Sequence, residues 1–197
     1  MVASTARTTP RPTPRRKPVI PSSVFGVLIF MGSEIMFFGG MISALAIVKA
    51  GAVAGIWPPA GQPRLPIEAT AINSFGLLLS GFFLFRAGQM FRVKPASAKT
   101  PFLLSIVLGA VFVLVQGIEW VGLIKEGLTM TSSVHGAFFY LIVGTHAIHA
   151  LMALIVLVQN YFKMTNGQLS SDGFWALRLF WYFVVLLWPV LYWQVYL

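Results

Sequence analysis

Apolar residues gather in five long stretches, at residues 22–48, 69–90, 101–124, 134–161 and 177–196, and polar or turn-forming residues are confined to the short segments between them. Each stretch reaches the ~20 residues that an α-helix, rising 1.5 Å per residue, needs to cross ~30 Å of hydrocarbon. Transmembrane β-strands would be about ten residues long with strict alternation, which none of these stretches has. The turn chemistry respects the same limits. Trp57, Pro58, Pro59, Gly61, Pro63 and Pro66 fill the first loop, Lys94 and Pro95 end the second stretch, and Asn166, Gly167, Ser170, Ser171, Asp172 and Gly173 make the last loop. The pattern predicts an all-α polytopic membrane bundle of five transmembrane helices over residues 22–197, preceded by a tail at 1–21.

Composition agrees with that reading. Of the 197 residues 57% are hydrophobic and only 10% charged, with a mean hydropathy of +0.82, whereas a soluble domain carries about a quarter charged residues. Cysteine is absent, which excludes disulfides, covalent haem c, iron–sulfur clusters and thiolate copper centres. The net charge of +9 does not point to nucleic acid, because five of the fourteen basic residues, Arg7, Arg11, Arg15, Arg16 and Lys17, sit in a proline-broken tail ahead of an apolar span. That arrangement reads as an orientation signal. A cleaved signal peptide fits poorly, since the apolar run after Ser22 far exceeds the roughly 7 to 15 residues of a signal core. Counting bases near the helix ends puts eleven on one side (the tail's five with Arg86, Arg92, Lys94, Lys99, Lys163 and Arg178) and three on the other (Lys49, Arg64 and Lys125). The N-terminus is therefore expected in the cytoplasm and the C-terminus outside. Trp57, Trp120, Tyr192, Trp193 and Tyr196 then fall at the outer interface, and Trp175 and Tyr161 at the inner one, as an aromatic belt.

Small residues at helical spacing, Gly40 with Ala44, Gly76 with Ser80 and Ser105 with Gly109, predict close helix packing. Ionisable groups inside hydrocarbon are costly and so more informative. Glu34 lies about twelve residues, ~18 Å, into the first helix. His146 and His149, three apart on one face of the fourth, reach a comparable depth from the opposite side. A contact from Glu34 to either histidine satisfies both groups. Glu119, nearer the outer end of the third helix, can reach interfacial water or pair with Gln116 on its own face. Glu34, His146, His149, Glu119 and Gln116 thus form an expected intramembrane polar set, readable as a buried hydrogen-bond network or as a proton relay. A metal site is not expected. All three histidines lie on one segment, so they cannot face each other across a haem, and no Glu-x-x-His pair exists because Val143 precedes His146 by three. No activated nucleophile and no phosphate-binding loop is present either, so no catalytic residue is assigned.

Four segments carry a resemblance. Phe30-Met31-Gly32-Ser33-Glu34-Ile35-Met36-Phe37-Phe38, then Trp57-Pro58-Pro59 with Leu65-Pro66, then Gln116-Gly117-Ile118-Glu119-Trp120, and then His135-Gly136-Ala137-Phe138-Phe139 leading to Gly144-Thr145-His146-Ala147-Ile148-His149, occur in the order found in subunit III of the haem–copper respiratory oxidases. Over about residues 24–197 the chain resembles the five-helix bacterial form of that family, which lacks the first two helices of longer members. It departs from the family in the last helix. Where the family has Trp-His-Phe-Val-Asp-x-x-Trp, this chain has Trp181-Tyr182-Phe183-Val184-Val185-Leu186-Leu187-Trp188. The resemblance implies an accessory subunit of a cytochrome c or quinol oxidase in the bacterial plasma membrane. Such a subunit is not an enzyme on its own and carries no cofactor, haem and copper belonging to the catalytic subunit I, with subunit II as a further partner. It implies roles in stabilising that subunit, in holding phospholipid and in supporting proton uptake. An aromatic at the position of Phe30 lines an acyl-chain site in that family, and ordered phospholipid is expected in a single groove lined by Phe30 and capped by Arg178, whose guanidinium pairs with phosphate; Trp57 completes the expected lipid contacts. The alternatives are an accessory subunit of another respiratory complex, of the nitric oxide reductase type, or an independent transporter. Against a transporter, no two spans are broken at corresponding positions.

Overall fold

The computed structural model describes residues 20–52, 57–59 and 61–197; the basic residues of the tail, Arg7 to Lys17, lie outside them. Five helices account for nearly all of the described chain: α1 (Ser22–Ala50), α2 (Ile67–Val93), α3 (Lys99–Lys125), α4 (Val134–Thr165) and α5 (Ser171–Tyr196), with one 3₁₀ turn at Pro95–Ala98 between α2 and α3. All five are long and apolar enough to cross a membrane, the 3₁₀ turn continuing into α3, and there is no strand among the described residues. The molecule is a multi-pass membrane helix bundle.

Helix ends run past the apolar stretches where capping groups extend them. α5 begins six residues before the apolar run at 177, because the Ser170 hydroxyl accepts the Gly173 amide at 3.1 Å and Asp172 sits in the positive first turn. Ser133 caps α4 in the same way through the Gly136 amide at 3.0 Å. α3 and α4 both stop at a glycine with positive φ, Gly127 (93°) and Gly167 (70°). In each case the amide beyond the glycine reaches back five residues, Leu128 to the Leu123 carbonyl and Gln168 to that of Lys163. This closure satisfies carbonyls that the end of each helix would otherwise leave without an intrahelical partner.

α5 is the most embedded helix and α1 the least. One face of α5 lies along α2, antiparallel, and is held by a ladder of indole and phenol donors. Trp181 Nε1 donates to Ser80 Oγ (3.2 Å), Trp188 Nε1 to Ser74 Oγ (2.7 Å) and Tyr192 Oη to the Ile67 carbonyl (3.0 Å). Ser80 in turn donates to the Ser105 carbonyl of α3 at 2.7 Å. Small residues let these backbones approach, as expected for Ser80, Ser105 and Gly109: a Cβ on Gly109 would lie 2.8 Å from the Trp181 ring. Gly40 and Gly76 differ from that expectation, since a Cβ on either would meet nothing within 4 Å. Their helical spacing places them on outward faces, where no other described residue approaches.

Candidate intramembrane polar site

Glu34 is on the α1 face that meets α4, one turn from Phe30 and one turn from Phe38. Its Oε2 lies 3.1 Å from His149 Nε2, the side chains being 15% and 9% exposed. The Phe30 and Phe38 rings flank that imidazole, with centroids 6.2 and 5.7 Å away. The other ring nitrogen, Nδ1, is 2.8 Å from the Thr145 carbonyl one turn earlier on α4. A carbonyl only accepts, so Nδ1 carries a proton. Nε2 is thus the nitrogen that faces the Glu34 carboxyl group, at ion-pair distance although Glu34 Oε2 makes no hydrogen bond of good geometry. The contact offsets part of the cost of burying two ionisable groups in hydrocarbon.

His146 does not join this pair. Only 1% exposed, it stacks on Trp188 (centroids 5.1 Å apart, 28° between planes), and neither ring nitrogen has a hydrogen-bond partner among the described residues. Glu119 and Gln116 belong to a second cluster. Glu119 Oε2 accepts from Thr70 Oγ1 of α2 at 2.8 Å and from Gln116 Nε2 at 2.9 Å, and Gln116 Nε2 also lies 3.1 Å from Tyr196 Oη of α5. The set expected from sequence is therefore two islands. Trp188 lies between them, with its ring against His146 on one side and 6.2 Å from that of Tyr196 on the other.

One reading of the sequence is corrected here. Tyr196 is not part of an interfacial belt: it is 5% exposed and packs on Phe139, Trp188 and Tyr192. Glu119 pairs with Gln116 on its own helix face, as expected, and α2 adds a second donor through Thr70. Sequence reasoning missed Thr70 and Tyr196 because a threonine at a helix start and a tyrosine near a chain end have common surface roles. The available signal was Glu119 itself, whose four acceptor sites exceed what Gln116 can fill.

The expected lipid contacts are on different surfaces. Phe30 meets Phe180 (5.7 Å) and His149. Arg178 lies in the seam between α2 and α5. Its Nε donates to Tyr182 Oη at 3.2 Å, and its guanidinium carbon stands 5.8 and 5.7 Å from the Phe174 and Tyr182 ring centroids. A Cβ on Gly88 would overlap that guanidinium. With Arg92, Asp172 and Phe174 it lines a small cleft of about 150 Å³ at that end of the bundle. Trp57 packs edge-on against His135 at the start of α4, 5.4 Å between centroids. Among the described residues no three His, Asp or Glu side chains converge to hold a metal ion.

The family-level comparisons agree with one another. The profile of the family "Cytochrome c oxidase subunit III" matches residues 15–197. Cytochrome c oxidase subunit 3 of Lemur catta is 30% identical over 183 residues, 87% of this chain and 65% of that protein. The probable cytochrome c oxidase subunit 3 of Mycobacterium leprae (strain TN) is 29% identical over 180 residues, 87% of this chain and 85% of that protein. That of Nocardia farcinica (strain IFM 10152) is 28% identical over 183 residues, with coverage of 87% and 85%. The chain thus spans slightly less than two thirds of the lemur relative and most of the bacterial ones.

Proposed function

The chain belongs to the cytochrome c oxidase subunit III family, and from that premise we propose that it is a non-catalytic accessory subunit of a haem–copper terminal oxidase in a bacterial plasma membrane. In this reading haem and copper reside in the catalytic subunit I, with subunit II as the other partner, and this chain steadies subunit I, holds phospholipid and supports proton uptake as oxygen is reduced to water. The observation that carries it is the extent of the family match, which takes in all five helices. The eleven-to-three distribution of basic residues supports a cytoplasmic N-terminus and an external C-terminus. A steadying role is supported by the contact of Glu34 with His149, which ties α1 to α4. The two groups are both ionisable and stand 3.1 Å apart within the bundle, which supports a part in proton handling. Phospholipid is supported by Phe30, whose ring is partly open beside His149, and by Arg178 with Arg92, whose guanidinium groups suit a headgroup phosphate.

Purifying the tagged chain from its native membrane in mild detergent tests this reading. Co-purification of haem with an oxidase spectrum, near one equivalent of catalytic subunit per chain, is the expected result. A colourless chain that migrates alone would overturn it.

A further inference from the structure

One face of α2 is left uncovered by the described residues. Ser74, Gly81 and Gly88 turn toward α5, against Trp188, Val185 and Arg178, and Asn73 and Ser80 turn toward α3, bonded to the Phe112 and Ser105 carbonyls. Phe75, Phe82, Arg86, Gln89 and Val93 fall on the opposite side by helical spacing, and all five are exposed. A phenylalanine on such a face suits hydrocarbon, whereas an arginine is costly there. The 27 residues of α2 make ~40 Å of helix against ~30 Å of hydrocarbon. Val93, the last of them, is ~10 Å beyond Arg86 at 1.5 Å per residue, so with the helix centred Arg86 branches off about 5 Å inside the apolar layer. Its side chain also starts in the unfavourable direction. Cα–Cβ bonds tilt toward a helix's N-terminus, which for Arg86 is away from the nearer membrane surface. No acid of this chain offsets the charge. Among the described residues the one contact within 4 Å between a basic side chain and a carboxylate is that of His149 with Glu34. Glu68 is at the far end of α2, Glu119 and Glu126 lie toward that same end of the bundle, and Asp172 lines the Arg178 cleft on another side of the helix.

We propose that this face docks against a transmembrane helix of another oxidase subunit, one that brings an Asp or Glu side chain to the depth of Arg86. The inference rests on the reading of the chain as a subunit of such a complex, and adds to it which face is docked and by what chemistry. A carboxylate meets a guanidinium through two parallel hydrogen bonds, and each charge offsets the cost of burying the other. Gln89, one turn further along the same face, both donates and accepts, so its amide suits a polar side chain or a carbonyl of the partner helix, while acyl chains offer it nothing. Phe82, one turn before Arg86 and 54% exposed, supplies the apolar part of the contact. A headgroup phosphate suits Arg86 less well, because the side chain has to turn back along its own helix to reach one, and Arg92 and Lys94 already stand nearer that surface.

Photocrosslinking in the native membrane tests it, with p-benzoylphenylalanine in place of Phe82 and the tagged complex purified afterwards. The expected product is this chain joined to a second oxidase subunit, and peptide mapping should place the joint on a transmembrane helix within about two turns of an Asp or Glu. Arg86→Leu should lower both that product and the retention of this chain by the haem-containing complex in detergent, each about tenfold or more. Arg86→Lys, which keeps the charge, should retain more of both. If Arg86→Leu does not accumulate, the crosslink made with Arg86 in place decides by itself. Crosslinks to phospholipid alone, a joint to a helix without an acid, or a product indifferent to Arg86→Leu would each overturn the proposal while haem still co-purifies. A chain that purifies without haem would overturn the underlying reading and the proposal with it.

Discussion

Glu34 Oε2 and His149 Nε2 stand 3.1 Å apart across the α1/α4 contact, while His149 Nδ1 is committed to the Thr145 carbonyl. The imidazole is thus held in one orientation by its own helix and presents a single nitrogen to the carboxylate. α1 makes its larger contact with α5 and a smaller one with α4, so this pair is the main polar tie on the α4 side.

Glu34→Ala should therefore destabilise the chain within the complex by about 1–3 kcal/mol, the cost of leaving a buried polar group unpaired, with haem content unchanged. In double-mutant cycles His149→Ala should couple to Glu34→Ala by about 1 kcal/mol or more. His146→Ala should be additive with it to within about 0.5 kcal/mol. Thermal dissociation of the subunit in detergent measures both, and coupling to His146 instead would contradict the geometry.

Tyr196 and Trp193, three residues apart in α5, offer a second contrast. Tyr196 is buried with its hydroxyl against Gln116, and Trp193 is 67% exposed. Tyr196→Phe should cost about 0.5–1.5 kcal/mol, and Trp193→Phe should stay within about 0.5 kcal/mol. Equal effects in the same dissociation assay would restore the belt reading of Tyr196.

The five helices were legible because apolar length alone defines a membrane span, and Glu34 and the histidine pair stood out because ionisable groups in hydrocarbon need a reason to be there. Rotation about each helix axis was not legible. The sequence put His146 and His149 on one face, but only packing turned His149 toward Glu34 and His146 toward Trp188. Tyr196 could not be told from an interfacial tyrosine for the same reason, since belt and core tyrosines share one apolar context. The sequence set Arg178 in the first third of α5 and Phe30 in the first third of α1, but position along a helix carries no information about the side to which each points.

Gly109 and Gly40 test how far small residues govern packing. A Cβ on Gly109 would press into the buried Trp181 ring, which is pinned by its bond to Ser80 and cannot yield easily. Gly109→Ala should cost about 1–3 kcal/mol through overpacking. Gly40→Ala meets open space in this chain and gains helix propensity, so the isolated subunit should be unchanged or stabilised by up to about 1 kcal/mol. A shared loss in the isolated chain would mean that Gly40 has a neighbour within the chain after all.

Where the resemblance implies a histidine and an aspartate, the last helix carries Tyr182 and Val185, and the structure gives each a place. Tyr182 accepts the Nε–H of Arg178 at 3.2 Å. Val185, 4% exposed, packs its Cγ1 3.1 Å from where a Cβ on Gly81 would stand. The seam there is apolar, so restoring the aspartate alone buries an unpaired carboxyl group. Val185→Asp should cost several kcal/mol, of order 3 or more by the desolvation of a polar group without a partner. Tyr182→His adds a side chain three residues earlier, within reach on the same face, at the loss of the Arg178 contact. The double variant Tyr182→His, Val185→Asp should therefore be more stable than the sum of the single changes by about 1 kcal/mol or more, measured by thermal dissociation in detergent. Strict additivity would mean that a histidine at 182 and an aspartate at 185 do not support each other on this helix.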